Sequence, residues 1–280
     1  MNKFDPKELK KLYKPPRNFG QDENGQVTII GGSSLFHGAP ILSLKVASRI
    51  MDMVFFASPE PSVGHVAERI KSKLSSFVWV PWEEVGEYLE KSDAVLIGPG
   101  LMRFHSEKIP SPQRHALCDQ ACQVTSKITK DLLEKFPEKR WVIDAGSLQV
   151  MEPKWIPKGA ILTPNQKEYK LLFGELTPQE AAKKYNCTIA YKRLTTLVCS
   201  PTDCVEVGGG NQGMTKGGTG DVFAGLTLAL LAKNEPFLAA SCASYLIKKA
   251  AEELFQEKGI YYNADDLANK VPSVLGKLLK

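Results

Sequence analysis

The sequence predicts an α/β fold, a mostly parallel sheet covered by helices on both faces. Three observations lead there. Short apolar runs alternate with helical patterns from Val27 to Tyr191, as in chains built of βαβ units. Several of those runs stop on turn residues such as Gly31-Gly32-Ser33 and Gly98-Pro99-Gly100, and such turns collect at the carboxyl edge of a sheet, where ligands bind. A glycine-rich stretch, residues 208–220, leads at once into an apolar helix. At 280 residues and 43% apolar content, one large domain with a sizeable core is expected.

Taken in order, residues 1–25 are polar and basic, broken by Pro15, Pro16, Gly20 and Gly25. They read as an N-terminal arm with a short helix at about 6–14. Val27–Ile30 is the first strand and runs into Gly31-Gly32-Ser33-Ser34 and a helix at about 39–52. VFFAS (54–58), SFVWV (76–80), Ala94–Ile97, WVIDA (141–145), AILTP (160–164) and Thr188–Tyr191 follow as strands. Helices are expected at about 63–75, 113–136, 168–174 and 177–185, with a short amphipathic segment near 82–91. Thr177 with Glu180 three residues on is a capping box. Residues 103–112 hold two prolines and read as a loop. Leu197–Ser200 and Cys204–Val207 form a hairpin around Pro201-Thr202-Asp203. Three helices close the chain, at about 221–233, 236–256 and 263–279.

Residues 208–231 read GGGNQGMTKGGTGDVFAGLTLALL. Glycines let the backbone approach a ligand closely. The first N–H groups of the following helix have no internal partner, and the helix dipole is positive there. Thr219, Gly220 and Asp221 therefore offer a site for phosphate. Asp221 is out of place in a purely anion-binding loop. Two readings stand: it caps the first turn, or it takes a proton from a hydroxyl attacking the bound phosphorus. Gly208, Gly210 and Gly213 fit G-x-G-x-x-G, but that fingerprint belongs to an early strand–turn–helix unit and is discounted here. No G-x-x-x-x-G-K-[ST] occurs. Lys216 reads either as a phosphate ligand or as a solvated charge. Asp144, ending its strand, can accept a hydrogen bond from a loop, orient a metal or hold a substrate hydroxyl.

Asn211-Gln212-Gly213-Met214, then Gly217-Gly218-Thr219-Gly220-Asp221 and an apolar helix, resembles the ribokinase-like superfamily. Within it the chain is similar to the NAD(P)H-hydrate dehydratases. Gly31-Gly32-Ser33, then Phe36 or His37, then Gly38-Ala39-Pro40 carry the likeness, as do Pro15-Pro16-Arg17 and Gly98-Pro99-Gly100. Kinases of the same fold do not usually read this way. The resemblance spans about residues 12–270 and implies a ribokinase-like three-layer α/β/α fold in a single domain, residues 1–280. It implies nucleotide-dependent dehydration of hydrated NAD(P)H (NADHX or NADPHX), through phosphorylation of the ring hydroxyl and loss of phosphate. Asp221 would be the base, and Gly218, Thr219 and Gly220 the anion hole. Lys192, Thr196 and Gly220 would hold the nucleotide. Ala39, Gly100, Asn165 and Asp221 would hold the hydrated dinucleotide. Glu168 would help organise water around magnesium. ADP or ATP and Mg2+ are the implied cofactors, and a homo-oligomer, tetrameric as in relatives, the implied assembly. The chain departs from the pattern at Lys167 and Arg193, where relatives carry glycine, and at Gly146, where some carry a second carboxylate.

The remaining composition sets limits. Net charge is +5, from 36 basic and 31 acidic residues spread without a dense block. That is too weak for nucleic-acid binding and suits an anionic substrate. No 18-residue apolar run predicts a membrane span, and MNKFDPKELKK has no apolar export signal, so a cytoplasmic protein is expected. The six cysteines read as reduced core thiols. Cys118 and Cys122 are at helical spacing, but no further Cys or His pair completes a zinc site. Two other functions stand beside the dehydratase. A small-molecule kinase of the same fold would stop after phosphate transfer to a thiazole or pyrimidine alcohol. A nucleotide sensor would bind without turnover.

Overall fold

The computed structural model describes residues 2–16, 20, 23–102 and 120–279. Its strands are β1 (Asn2–Lys3), β2 (Gln26–Ile30), β3 (Met53–Ala57), β4 (Val78–Trp79), β5 (Ala94–Ile97), β6 (Arg140–Ile143), β7 (Ile161–Leu162), β8 (Thr188–Tyr191), β9 (Thr196–Cys199) and β10 (Cys204–Val207). Its helices are α1 (Gly38–Ala47), α2 (Pro61–Ile70), α3 (Val85–Lys91), α4 (Gln120–Lys135), α5 (Ala145–Val150), α6 (Gln166–Phe173), α7 (Pro178–Tyr185), α8 (Thr219–Leu231), α9 (Pro236–Lys258) and α10 (Ala264–Leu278). The strands form one sheet in the order β1-β10-β9-β8-β7-β6-β5-β2-β3-β4. Among the described strands only the β8–β9 and β9–β10 pairings are antiparallel.

Successive strand residues serve opposite faces, which is why the strands are apolar throughout. Leu96, Val142 and Ile161 join the core under α1, α8, α9 and α10. Their neighbours Ile97, Ile143 and Leu162 join the core under α3, α4, α6 and α7. The result is three layers, α/β/α. α8 is buried almost along its whole length. It crosses α1 so closely that a side chain at Gly225 would lie 2.5 Å from the Ser43 carbonyl oxygen.

The first residues are not a free arm. β1 pairs in parallel with β10, the Pro6–Lys11 turn is 3-10, and Leu9 and Leu12 are buried. Apolar residues at Phe4, Leu9 and Leu12 anchor a stretch whose average is polar. Two expected strands shorten to Val78–Trp79 and Ile161–Leu162. In the second, Pro164 has no N–H to continue the ladder. The segment at 82–91 splits into a 3-10 turn and α3. α5 was not expected; it starts at Ala145, whose φ is +46°. The expected loop at 103–112, the start of the helix at 113 and Cys118 lie outside the described residues, as does Arg17. α4 supplies the rest of that helix.

The cysteines need a correction. Cys199 and Cys204 face each other across the antiparallel β9–β10 pair, with Cα atoms 4.2 Å apart, and form a disulfide. Cys122 is also disulfide-bonded. Register, invisible to spacing alone, brings Cys199 and Cys204 together. Cys187 and Cys242 are free and buried, and burial pushes both thiols up to about 12. Among the described residues no helix is long and apolar enough to cross a membrane.

Candidate active site

The carboxyl ends of the central strands converge on the first turn of α8. Gly32 N donates to Pro99 O at 2.9 Å, and Gly146 N to Gly98 O at 3.2 Å, which locks the β2, β5 and β6 turns together. Asn165 bridges to Lys192 beyond β7 and β8. Gly100 permits a close approach: its φ is +73°, and a side chain there would lie 2.5 Å from Phe36 O.

Gly218 occupies the cap position of α8 with φ +92°, and no side chain makes a cap bond. Asp221 sits in the third helical position, so it is not the cap. Its carboxylate is half-buried, while its backbone oxygen accepts from Ser43 Oγ at 2.7 Å. Desolvation, aided by the charges of Asp144 and Glu168 and opposed by Lys192, pushes its pKa up to about 7.

Two clefts flank this turn. The first, about 560 Å³, is lined by Phe36, Ala39, Gly100, Gly146, Gly218 and Asp221 among others. The second, about 400 Å³, is lined by Lys192, Thr196, Gly209, Thr219, Gly220 and Lys248 among others. Both are of ligand size. The expected dinucleotide residues Ala39, Gly100 and Asp221 thus share one cleft, and the expected nucleotide residues Lys192, Thr196 and Gly220 share the other.

Lys192 reaches beneath the turn. Its Nζ donates to Asp144 Oδ1 at 2.8 Å, and Thr163 Oγ1 donates to the same oxygen at 2.7 Å. A side chain at Gly220 would meet Lys192 Nζ at 3.4 Å. Burial opposes the ammonium charge, but Asp144 and Glu168 outweigh it and hold the Lys192 pKa above its usual value. Asp144 therefore accepts from a loop lysine, one of its three expected uses.

Asn165 and Glu168 line neither cleft. They form a capping box at the start of α6. Glu168 Oε2 accepts from Asn165 N at 2.9 Å, and Oε1 accepts from Gln149 Nε2 at 3.1 Å. Burial raises the Glu168 pKa. Among the described residues no group of three or more His, Cys, Asp or Glu is placed to hold a metal directly.

Two loop residues have structural work. Thr219 Oγ1 lies 2.7 Å from Met214 O and 2.9 Å from Lys216 O, and its backbone N donates to Lys216 O at 3.4 Å. Lys216 is not simply solvated: its Nζ donates to Tyr262 O at 2.7 Å and to Ile260 O, over the Tyr262 ring. Sequence reasoning missed Gln149, because it lies on the unexpected α5. It also missed Lys248, although a lysine inside the apolar pattern of α9 was a usable signal.

Comparison with known proteins bears on this geometry. The profile of the NAD(P)H-hydrate dehydratase family matches residues 27–273. The chain belongs to the NAD(P)H-hydrate dehydratase family. It is 33% identical to the bifunctional NAD(P)H-hydrate repair enzyme Nnr of Methanocaldococcus jannaschii, over 96% of this chain and 51% of that protein. It thus spans about half the length of such relatives. It is 29% identical to the ADP-dependent (S)-NAD(P)H-hydrate dehydratase of Cenarchaeum symbiosum, over 92% of this chain and 91% of that one. The fold is ribokinase-like. The ADP/ATP-dependent NAD(P)H-hydrate dehydratase of Bacillus subtilis, co-crystallised with ATP/Mg2+, superposes with a TM-score of 0.79 at 21% identity, over 99% of this chain and 98% of that one. The family match covers β2 through most of α10, and so takes in both clefts and the turn between them.

Proposed function

We propose that this chain dehydrates hydrated NAD(P)H at the expense of a nucleotide phosphate. One observation carries the reading: a carboxylate with a pKa raised to about 7 stands on an uncapped helix turn that separates two ligand-sized clefts. The hydrated dinucleotide occupies the first cleft, against Ala39 and Gly100. The nucleotide occupies the second, against Lys192 and Thr196. Asp221 takes the proton of the ring hydroxyl as its oxygen attacks the terminal phosphorus. The backbone N–H groups of the Gly218–Gly220 turn and the Lys192 ammonium stabilise the transferring phosphoryl group. The phosphorylated ring then loses inorganic phosphate and regains its double bond, and ADP leaves as AMP. The names of similar proteins support ADP as donor. Magnesium belongs to this reading only as a companion of the nucleotide phosphates.

The test is ultraviolet monitoring of NADHX with ADP or ATP. Recovery of NADH absorbance with release of inorganic phosphate is expected. A stable phosphorylated product would mark a kinase, and nucleotide binding without turnover a sensor.

The raised Asp221 pKa fixes a pH dependence. The base must be ionised, so kcat/KM should rise through about pH 7 and level off above it. Stability moves the opposite way. The folded pKa lies above the unfolded value, so the native state holds this proton more tightly, and the contribution is lost as pH rises from about 4 to about 7. A pH–rate profile flat from 5 to 8 would contradict the assignment.

A further inference from the structure

Lys248 sits on α9 with 4% of its surface exposed. Buried ammonium groups normally have a carboxylate against them. Here Nζ instead donates to two backbone oxygens, Leu194 O at 3.0 Å and Val207 O at 2.8 Å. These carbonyls belong to different walls of the second cleft. Leu194 lies in the link from β8 to β9, and Val207 ends β10 where the glycine loop begins. The next turn of α9 holds the same loop: Glu252 Oε1 accepts from Gly210 N at 3.0 Å, and Ala251 O accepts from Asn211 Nδ2 at 2.8 Å. Lys248 touches both walls, and it lines the cleft. An ammonium has three protons, and the third has no acceptor among the described residues.

We propose that Lys248 is a positioning residue for the nucleotide: it ties the 192–195 and 207–211 walls together and offers its remaining N–H to a nucleotide oxygen between them. This rests on reading the second cleft as the nucleotide site. Burial lowers the Lys248 pKa to about 8, with Glu252 opposing. Deprotonation removes one of the three donors, and the tie weakens. The charged groups nearby are Glu252 and Lys249 on α9, paired at 2.7 Å, Lys192 and Arg193 on the first wall, and Asp221 on α8. Asp221 titrates near 7, and Lys192 is held charged by Asp144, so a change near 8 belongs to Lys248.

The test is calorimetric titration of the whole chain with ADP between about pH 7 and 9.5, with steady-state KM for ADP and for hydrated NADH. Wild type, Lys248→Met and Lys248→Arg are compared, each first shown folded by circular dichroism. Wild-type affinity should fall past about pH 8. Lys248→Met should bind ADP roughly tenfold more weakly at pH 7, the loss of one charge-assisted hydrogen bond, and show no step near 8. KM for ADP should rise while KM for hydrated NADH holds within about twofold, inside ordinary surface-substitution effects. Lys248→Arg keeps the charge and should lose the step but retain most affinity. The proposal is overturned if Lys248→Met binds ADP as wild type does, if both KM values rise together, or if wild-type affinity is flat to pH 9.5. Should Lys248→Met not fold, the wild-type and Lys248→Arg titrations decide it by the same criterion. Wild type that binds no ADP at all sinks the cleft assignment itself, a separable result.

Discussion

Asp221→Asn should reduce kcat by roughly 10³-fold or more, the scale of a lost general base, with KM for the nucleotide little changed. The amide keeps the shape of the carboxylate and cannot accept the proton. The fold should survive. Asp221 shares its surroundings with the negative charges of Asp144 and Glu168, so removing its charge relieves repulsion instead of orphaning a partner. Above pH 7 the variant should melt no lower than wild type. Steady-state repair kinetics with thermal melting check both halves. Near-normal turnover would remove Asp221 from the chemistry, and a collapsed melt would recast it as a structural residue.

Lys192→Met should be the costliest single change to stability near the site. Its partner Asp144 is only 2% exposed at the side chain, and Lys192 is 23% exposed. Taking away the ammonium leaves a buried carboxylate with, among the described residues, only Thr163 to solvate it. Breaking buried pairs of this kind costs about 3–5 kcal/mol. Activity should fall too, because the same ammonium lies under Gly220. The two roles separate in a double substitution. Lys192→Met with Asp144→Asn removes both charges and should recover much of the stability but none of the activity. Chemical denaturation of wild type, Lys192→Met, Asp144→Asn and the double variant reads the coupling. If Lys192→Met alone is as stable as wild type, the pair does not hold the site together.

Much of this was legible in the sequence because it is locally encoded. β5, β8 and β10 fall where apolar runs meet turn residues. The Thr177–Glu180 box forms as its spacing dictates. The glycine loop and Asp221 stand at a helix start, as the dipole argument requires. What escaped depends on distant partners. Nothing near Lys216 reveals the carbonyls of residues 260 and 262. Nothing near Cys199 fixes the register that sets it opposite Cys204. Asn165 and Glu168, by contrast, are locally encoded. Their spacing spells a capping box as plainly as Thr177 and Glu180 do, and the structure forms it. α5 hid behind a single left-handed alanine, a conformation that favours glycine.

The margins of the sheet have a consequence for assembly. On one side the two residues of β1 cover β10; on the other the sheet stops at β4, also two residues long. Strand margins this short give an incoming copy almost no ladder to extend. Among the described residues the helical faces offer an associating copy more than the strand margins do, and packing on them would follow ridges and grooves instead of backbone pairing.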